Sequence, residues 1–474
     1  MALAMFSEER RKWWTLAAVS FGLFMIMLDN TVVNVALPSI QSDLGTGLEE
    51  LQWIVTGYAL TFAALMLIGG KLADAYGRRL IFVTGIVVFT GASLWCGLSD
   101  SGNELIAARI VQGVGAALMN PATLSIIAAT FPPRERGMAI GIWAGVSALA
   151  LAIGPLVGGL LTEHLSWHWI FYVNIPVGII GVGASLLLIR ESKDETHERL
   201  DLPGLATSAL GLFALTYGLI EANNYGWTSG RIIGSFVVAA ISLAAFVQLE
   251  RVQRAPMLDL SLFRSGTYAG ANLAMLLVAL AMFGVFFFVS LYMQNVLGYS
   301  AVQAGAAFLP MTVLIILVAP IAGKLSDRHG SRWLMSIGMV LLGVQLLYLS
   351  RLGTGADFWN LLPGFVLGGL GMAMTMTPTA AAATRAVPVR KAGVGSAVLN
   401  AMRQVGGSLG IALMGAIFAH EASGKPRVEG FTAGFERALT VAALIAFAGA
   451  IVAFALVRQE THDEEESSPL EAAA

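Results

Sequence analysis

The stretch Leu28-Asp29-Asn30-Thr31-Val32-Val33-Asn34-Val35-Ala36-Leu37-Pro38 places a single carboxylate inside a long apolar segment near the amino terminus. That segment, residues 15–37, is long enough to cross the hydrocarbon core of a bilayer as a helix. A charge in hydrocarbon costs roughly 2.5–3.5 kcal/mol even on the lenient insertion scale. A charged residue persists there when a function or a partner requires it, so Asp29 is a candidate functional residue.

The composition extends this pattern to the whole chain. Of 474 residues, 57% are hydrophobic and 12% are charged, whereas a soluble domain carries about 25% charged residues. Fourteen apolar stretches of spanning length contain only three charged residues, which are Asp29, Arg109 and Arg403. Unbroken apolar runs require helices, because backbone groups find no other partners in lipid and a β-barrel needs alternating polarity. We therefore predict an all-α integral membrane protein with 14 transmembrane helices.

The distribution of basic residues predicts the orientation. Of the 28 lysines and arginines, 21 fall in one set of loops and ends and four fall in the other. The positive-inside rule assigns the more basic set to the cytoplasm. Both termini are then cytoplasmic, as an even number of helices requires, and we predict a multi-pass protein of the cell (inner) membrane.

The chain also contains an internal repeat. Residues 70–74 read Gly-Lys-Leu-Ala-Asp and residues 323–327 read Gly-Lys-Leu-Ser-Asp, each ending the second stretch of a six-stretch block. Repeats with a site at their interface are typical of transporters. The predicted organisation is an amino-terminal six-helix half, a hinge with two inserted helices, a carboxy-terminal six-helix half and an acidic cytoplasmic tail, over residues 15–189, 190–265, 266–457 and 458–474.

Five stretches carry a resemblance to a known family. Residues 28–38 resemble the first-helix signature of the fourteen-helix drug:proton antiporters of the major facilitator superfamily. In the same order along the chain follow a cytoplasmic loop motif, a helix 4 motif tied to proton transfer, a helix 5 motif typical of exporters and a helix 13 signature, at residues 70–79, 109–115, 154–159 and 400–407. Ala75 departs from the loop motif, which usually carries a basic residue at that position.

The resemblance implies a fold and a function. The fold is the major facilitator arrangement, and the function is proton-coupled antiport that exports lipophilic neutral or monocationic drugs or antibiotics by alternating access. The partners implied are a lipophilic small-molecule substrate, protons and the lipid bilayer, without nucleic acid. We expect no cofactor beyond the proton as coupling ion, no enzymatic activity, and function as a monomer.

Three other functions stay open. A dedicated exporter of one metabolite or self-made antibiotic has the same architecture, and only its range of substrates differs. A non-transporting membrane receptor or scaffold needs no carboxylate inside the membrane. An uptake symporter is disfavoured by the resemblance of residues 154–159 to an exporter motif.

Other classes of site find little support in the sequence. No segment fits the phosphate-binding pattern Gly-x-x-x-x-Gly-Lys-Ser/Thr, so ATP-driven transport is not expected. A single cysteine, Cys96, excludes an intramolecular disulfide and a cysteine-built metal site. His164 and His168 have helical spacing but no third ligand nearby, so we predict no metal site.

The family resemblance and the residue chemistry together suggest groups of candidate residues. Asp29 and Arg109 are predicted to couple protons, although Arg109 could instead bond backbone carbonyls or Gln112. The cytoplasmic gate is assigned to Gly70, Asp74, Gly77, Arg78, Arg79, Asp327 and Arg328. The helix 5 exporter motif contributes Gly154, Pro155, Gly158 and Gly159. Further candidates are Arg403, Asn34, Gln112 and Glu221.

The substrate cavity is the least constrained part of the prediction. Large aromatic or flexible side chains suit varied lipophilic cations, but such residues on apolar helices also face lipid or pack in the core. The candidates are Met25, Trp53, Tyr58, Trp143, Phe283, Phe286, Phe287, Met372 and Met376. Gly141 and Gly145 are expected to let helices approach closely. Glu221 is also open to interpretation as a solvated interfacial residue.

Overall fold

The structure, a computed structural model, describes residues 8–193, 201–253, 256–387 and 392–458. Regular structure in these ranges is helical, with a short 3-10 turn at Leu260–Arg264. The helices are α1 (Glu8–Leu44), α2 (Leu48–Tyr76), α3 (Arg78–Leu98), α4 (Gly102–Thr130), α5 (Pro133–His164), α6 (Trp169–Tyr172), α7 (Asn174–Leu188), α8 (Leu202–Tyr225), α9 (Gly230–Val252), α10 (Gly266–Asn295), α11 (Ala301–Ala307), α12 (Leu309–His329), α13 (Ser331–Ser350), α14 (Phe358–Arg385), α15 (Ala392–Ala422) and α16 (Arg427–Leu456).

The predicted all-helical membrane fold is confirmed. In the described ranges, thirteen helical stretches are long and apolar enough to cross a membrane. Helix α5, with 32 residues, brings the number of segments of spanning length to fourteen. Two predicted continuous spans, 168–189 and 301–323, are each divided, into α6 and α7 and into α11 and α12. Pro176 and Pro310 lie in the first turns of α7 and α12, where a proline removes an amide donor and favours a new helix start.

The helices form two groups with α8 and α9 beside them. In the first group α2 and α3 pack on α4 and α1 packs on α5, while in the second α10 packs on α15 and α13 packs on α14 and α16. We call the face of the bundle where α1 begins and α16 ends the terminus side, and the opposite face the far side. Near the far side α8 contacts both groups of helices. Asn223 donates to the carbonyl of Ala416 on α15 at 2.8 Å, and Glu221 accepts from Trp53 on α2 at 3.4 Å.

The α8–α9 pair is held at the terminus side by Asp201. Its carboxylate caps α8 by accepting from the Gly204 amide at 2.7 Å, and it also accepts from the Met257 amide at 3.4 Å. Burial raises the pKa of Asp201, but hydrogen bonds to the Gly204 amide, to the Gln253 and Glu250 side chains and to the Met257 amide together outweigh burial and hold the pKa below its usual value. The carboxylate therefore stays charged and joins the start of α8 to the chain that follows α9.

Candidate functional site

Asp29 and Arg109 form an ion pair in the interior of the first group of helices. Arg109 Nη1 lies 2.5 Å from Asp29 Oδ2, and the two side chains are 1% and 0% exposed, respectively. Asp29 comes from α1 and Arg109 from the first third of α4. Two of the three charges that the sequence placed inside the membrane segments therefore meet directly, and each makes burial of the other tolerable.

Three neutral side chains complete the cluster around the pair. Gln112 Nε2 donates to Asp29 Oδ1 and to Ser93 Oγ, both at 2.9 Å. Asn174 Nδ2 on α7 lies 3.5 Å from Asp29 Oδ1 and 3.3 Å from Ser93 Oγ. Four helices, α1, α3, α4 and α7, thus contribute side chains to one buried network. We call Asp29, Arg109, Gln112, Ser93 and Asn174 the carboxylate cluster.

The remaining contacts of Arg109 fix its orientation. Its Nε donates to the Ile54 carbonyl at 3.1 Å and its Nη1 donates to Gln112 Oε1 at 2.6 Å. The guanidinium carbon lies 4.2 Å from the ring centre of Tyr58 and 5.8 Å from that of Phe171. Backbone and Gln112 bonds therefore occur alongside the Asp29 pair rather than instead of it. The aromatic faces favour a positive charge at this position.

A cavity of about 210 Å³ lies between the two groups of helices, on another face of α1. Its described lining residues come from α1, α5, α10, α12, α14 and α15 and are Met27, Asn30, Thr31, Asn34, Ser147, Phe283, Phe286, Thr312, Ile315, Ala319, Met372, Met376, Thr377, Arg403 and Gln404. Asn30 and Asn34 face the cavity while Asp29 faces α4. One helix therefore separates the carboxylate cluster from the cavity.

The predicted cavity residues divide between the cavity and other sites. Phe283, Phe286, Met372 and Met376 line it. Phe287 and Met25 are buried in the core, at 0% and 1% exposed. The other three are committed to polar or aromatic contacts elsewhere: Trp53 donates to Glu221, Tyr58 stacks on Arg109 and Trp143 donates to Thr123.

The exporter-motif glycines lie at close helix contacts. Gly154 and Gly158 pack on Thr31 and Val32 of α1, and a Cβ on Gly158 would lie 2.7 Å from the Val32 carbonyl oxygen. A Cβ on Gly159 would lie 2.5 Å from the Ala301 carbonyl oxygen, at the start of α11 in the second group. The Pro155 carbonyl in turn abuts Gly305. We call the contact between α5 and α11 at Pro155, Gly159, Ala301 and Gly305 the far-side seam.

The expectation for two further glycines on α5 is wrong in this conformation. Apart from the backbone of α5 itself, no atom of the described residues lies within 4 Å of a Cβ built on Gly141 or Gly145. Among the described glycines of α5, close approach occurs at Gly154, Gly158 and Gly159 in the far-side half, where Ala301 and Gly305 of α11 also meet the helix. Glu163 adds a polar contact there by accepting from the Val302 amide at 2.8 Å.

The charged pair of the first loop motif lies within its own group of helices. Asp74 accepts from Arg78 at 2.8 Å. The Glu191 carboxylate accepts from the Arg79 and Leu80 amides at 3.0 and 3.1 Å and so caps α3. Gly77 is needed in this turn, because its φ is +126° and a Cβ would lie 2.7 Å from the Glu191 carboxyl carbon.

The three other gate candidates have separate placements. Gly70 lies 3.5 Å, measured from an ideal Cβ, from Pro121 on α4. In the second copy of the motif Asp327 pairs at 3.2 Å with Arg385, which also donates to Ser326 and Ser331 at 3.0 and 2.9 Å. The adjacent Arg328 is exposed.

Sequence reasoning missed Ser93, Asn174 and Arg385. Ser93 and Asn174 are buried polar residues in apolar helices, which is the available signal, but many such residues only bond their own backbone. Arg385 ends α14 in a stretch rich in alanine and threonine. Its distance from residue 327 in the sequence gave no indication that the two would pair.

Comparisons with known proteins identify the family to which the chain belongs. A family model described as Major Facilitator Superfamily matches residues 19–318 and 271–474. The chain therefore belongs to the major facilitator superfamily of membrane transporters. It is 37% identical over 410 residues to the tetracenomycin C resistance and export protein of Streptomyces glaucescens, across 86% of this chain and 76% of that protein.

Two further relatives are also named for drug resistance. The chain is 36% identical over 473 residues to the puromycin resistance protein pur8 of Streptomyces alboniger, across 97% and 94% of the two chains. It is 35% identical over 403 residues to the methylenomycin A resistance protein of Streptomyces coelicolor, across 85% of each. The chain is thus related to antibiotic-resistance exporters of this superfamily.

Solved structures share the fold at low sequence identity. A bacterial homologue of the human lysosomal transporter Spinster, inward-facing and unoccupied, matches with a TM-score of 0.67 and 18% identity over 94% of this chain and 97% of that one. A peptide transporter in complex with sulfate matches with a TM-score of 0.68 and 15% identity over 95% and 98%. These likenesses concern the fold alone.

Proposed function

We propose that this chain is a proton-coupled antiporter that exports lipophilic small molecules by alternating access. The observation that carries the proposal is the buried Asp29–Arg109 pair, which lies next to the cavity without facing it. A carboxylate inside the membrane can bind and release a proton. When Asp29 is protonated its negative charge is lost, and the positive charge of Arg109 is no longer balanced. The relatives named for antibiotic resistance support export as the direction.

Helix α1 provides a physical link between proton and substrate. One face carries Asp29 towards α4, a second carries Asn30 and Asn34 into the cavity, and a third packs Thr31 and Val32 against the α5 glycines. Protonation of Asp29 would weaken its bond to Arg109 and release α1 from α4. A shift of α1 would then change the cavity and the far-side seam together.

The arrangement of the two groups of helices supports alternating access. With the terminus side assigned to the cytoplasm by the positive-inside rule, the far-side seam closes the outward path, while the loop-motif residues Asp74 and Asp327 pair within their own groups. In the opposite conformation we expect the seam to part and the loop motifs to approach each other. Such rocking about a central site is the general transport scheme for repeated halves.

The test is substrate-triggered proton movement in proteoliposomes that contain the full-length protein. Tritiated compounds form the panel, starting with tetracenomycin C, puromycin and methylenomycin A, and a pH-sensitive dye reports protons. Antiport predicts that substrate moving one way drives protons the other way. Substrate movement without proton flux, or both fluxes in the same direction, would contradict the proposal.

A dedicated exporter is the second candidate, and the same cavity is compatible with it. Growth of cells that produce the protein, measured against a panel of toxic compounds, separates the two. Protection against several unrelated scaffolds supports multidrug export. Protection against a single scaffold supports a dedicated exporter. Intact protein that moves no compound in proteoliposomes would favour a receptor or scaffold.

A further inference from the structure

Arg403 lies in the central cavity, and no described residue serves as a charged partner for it. It is in the middle of α15, in the second group of helices, and it lines the cavity opposite the α1 residues. Among the described residues, its buried Nε has no hydrogen-bond partner, and its Nη2 has only the Met27 sulfur at 4.0 Å, which is a weak acceptor.

The missing partner distinguishes Arg403 from Arg109. Arg109 has a carboxylate, a backbone carbonyl and two aromatic faces around it. Among the described residues, no acid lies within ion-pair distance of Arg403, and none lines the cavity. Asp29, the acid on α1, is already bonded to Arg109, Gln112 and Asn174 on the other face of that helix. Arg403 therefore gives the cavity a positive charge.

An unpaired buried guanidinium is costly, and a planar anion removes that cost. Buried charges in proteins are normally paired, because leaving one uncompensated carries a large desolvation penalty. The guanidinium fork matches a carboxylate or a similar oxygen anion with two parallel hydrogen bonds. Gln404, the next residue, also lines the cavity and has a buried Nε2 without an acceptor. Arg403 Nε and Gln404 Nε2 are thus two neighbouring donors for which no described residue supplies an acceptor.

The rest of the cavity offers an aromatic surface beside Arg403 and a hydrogen-bond acceptor opposite it. Phe283 and Phe286 on α10 provide aromatic surface beside Arg403. The Phe283 ring lies directly over Gly407, one turn along α15 from Arg403, where a Cβ would come within 2.8 Å of the ring. Across the cavity the buried Asn34 Oδ1 is an acceptor without a donor. An aromatic body, one anionic group and one hydroxyl would fill these three positions.

We infer that Arg403 is an anion-binding subsite of the cavity, and that the preferred substrates are lipophilic acids with an aromatic body and one carboxylate or ionised enol or phenol. This inference rests on the proposed export function and narrows its substrate class. It departs from the sequence-based expectation of neutral or monocationic substrates, because a positive charge in the cavity disfavours cations.

The test uses three tritiated naphthalene compounds that share the ring and a two-carbon side chain and differ in its terminal group, which is anionic, neutral or cationic: naphthylacetate, naphthylethanol and naphthylethylammonium. Equilibrium binding to the purified full-length protein is measured by scintillation proximity. We expect the wild-type protein to bind the anion about tenfold tighter than the neutral compound, the equivalent of ~1.4 kcal/mol, and the cation weakest. Equal affinity for all three, or tightest binding of the cation, would overturn the inference.

Variants assign the preference to Arg403. Arg403→Gln should weaken anion binding about tenfold and change neutral binding less than about threefold. Arg403→Lys keeps a charge and should retain part of the preference. Arg351→Gln, which removes an exposed arginine paired with Glu436, is the matched control and should bind as wild type. Equal weakening for all three compounds in Arg403→Gln would mean a structural role and contradict the subsite.

Two further measurements separate the possible explanations. The wild-type ranking needs no variant, so a Gln variant that fails to fold leaves the test intact. Phosphatidylglycerol added as a competitor should not displace naphthylacetate, and displacement would assign the guanidinium to a lipid headgroup and overturn the inference. In proteoliposomes, two results distinguish the subsite from the proposed function. Tighter binding of the anion without proton-coupled transport would contradict the proposed function alone. Proton-coupled transport of the compounds without preference for the anion would contradict the subsite alone.

Discussion

Asp29 and Arg109 depend on each other because water is excluded from both side chains. Removing one partner of a buried pair typically costs about 3–5 kcal/mol, since the other charge is left uncompensated, while replacing both is often nearly neutral. Gln112 adds bonds to both members of the pair. The carboxylate cluster therefore contributes to stability as well as to the proposed proton exchange, and the two roles need separate tests.

The first prediction separates them through a double-mutant cycle. Arg109→Gln should lower the melting temperature of the purified protein clearly, because Asp29 is then buried without a cation. The double variant Asp29→Asn, Arg109→Gln should recover part of that loss while transporting nothing by proton coupling. Thermal unfolding in one detergent measures all four proteins. Melting temperatures whose decreases simply add would contradict a direct buried pair.

An exposed ion pair provides the matched control for that cycle. Arg351 and Glu436 are 3.6 Å apart, with side chains 74% and 52% exposed. Such pairs contribute about 0–1 kcal/mol. The cycle of Arg351→Gln and Glu436→Gln should therefore show no measurable coupling, which calibrates the value found for Asp29 and Arg109.

The sequence revealed the charged members of the cluster but not its neutral members. Asp29 and Arg109 were predictable because a charge in an apolar segment is costly and rare. Asn174 and Ser93 were not, because neutral polar residues occur in apolar helices for many reasons. Whether Asn174 reaches Asp29 depends on how α7 is rotated against α1, which is a property of the assembled bundle. The same limit applies to Arg385 and Asp327.

At the scale of helices, the far-side seam between α5 and α11 has almost no free space. Gly159 lies against the Ala301 carbonyl and Gly305 against the Pro155 carbonyl, so each helix supplies glycine where the other supplies backbone. Small residues allow this kind of close approach. Any side chain added there must push the two groups of helices apart. The seam therefore biases the protein towards the conformation closed on the far side.

The second prediction concerns that bias. Gly159→Ala should open the seam more often, because the new Cβ would lie 2.5 Å from the Ala301 carbonyl oxygen. The reporter is Ala307→Cys on α11, which is 3% exposed, labelled with a membrane-impermeant maleimide. Labelling should be several-fold faster in Gly159→Ala. Gly141→Ala, with open space around the new methyl group, is the control and should leave the rate unchanged.

An unchanged labelling rate in Gly159→Ala would mean that α11 yields locally and that the seam sets no conformational balance. The endogenous Cys96 does not interfere, because it is 0% exposed inside the first group of helices. Expression of both glycine variants should stay close to wild type, and Gly141→Ala should also keep the wild-type melting temperature.

The third prediction concerns the turn between α2 and α3. Asp74→Asn removes the negative charge that pairs with Arg78, a partly exposed pair worth about 0–1 kcal/mol, so the melting temperature should hardly change. The initial rate of transport should fall, because the charge is needed when the terminus side closes. Asp100→Asn, in the exposed turn between α3 and α4, is the matched control. A wild-type rate in Asp74→Asn would reduce Asp74 to an ordinary surface charge.

At the scale of the whole molecule, hydropathy predicted the fold because lipid leaves helices as the solution for long apolar runs. The lining of the cavity was not predictable from the same signal. Met27 lines the cavity while Met25, two residues earlier on α1, is in the core. Both are apolar residues in one apolar helix. Which of them meets a substrate depends on the arrangement of six helices around the cavity.

The fourth prediction follows from a single exchangeable carboxylate. If one proton enters per molecule exported, a neutral substrate moves one charge per cycle, a monovalent cation moves none and a monoanion moves two. Each charge is worth about 2.3 kcal/mol per 100 mV of membrane potential. Currents on a solid-supported membrane should therefore be present for neutral compounds, larger for anions and absent for monovalent cations. Divalent cations should be exported poorly, since the potential opposes their movement.

Equal currents for neutral and monocationic compounds would contradict a stoichiometry of one. That result would require a second proton-carrying group. Because substrate affinity and charge movement are separate quantities, the comparison uses currents normalised to the amount of compound transported.

The most direct measurement compares two modes of transport by Asp29→Asn in proteoliposomes. Export driven by an imposed pH gradient requires the carboxylate, whereas exchange of labelled for unlabelled substrate at equal pH requires only the cavity and the conformational change. The proposed mechanism predicts that Asp29→Asn loses gradient-driven export and keeps substrate exchange, while the control Asp100→Asn keeps both. Gradient-driven export by Asp29→Asn at the wild-type rate would contradict the central claim that Asp29 couples protons to transport.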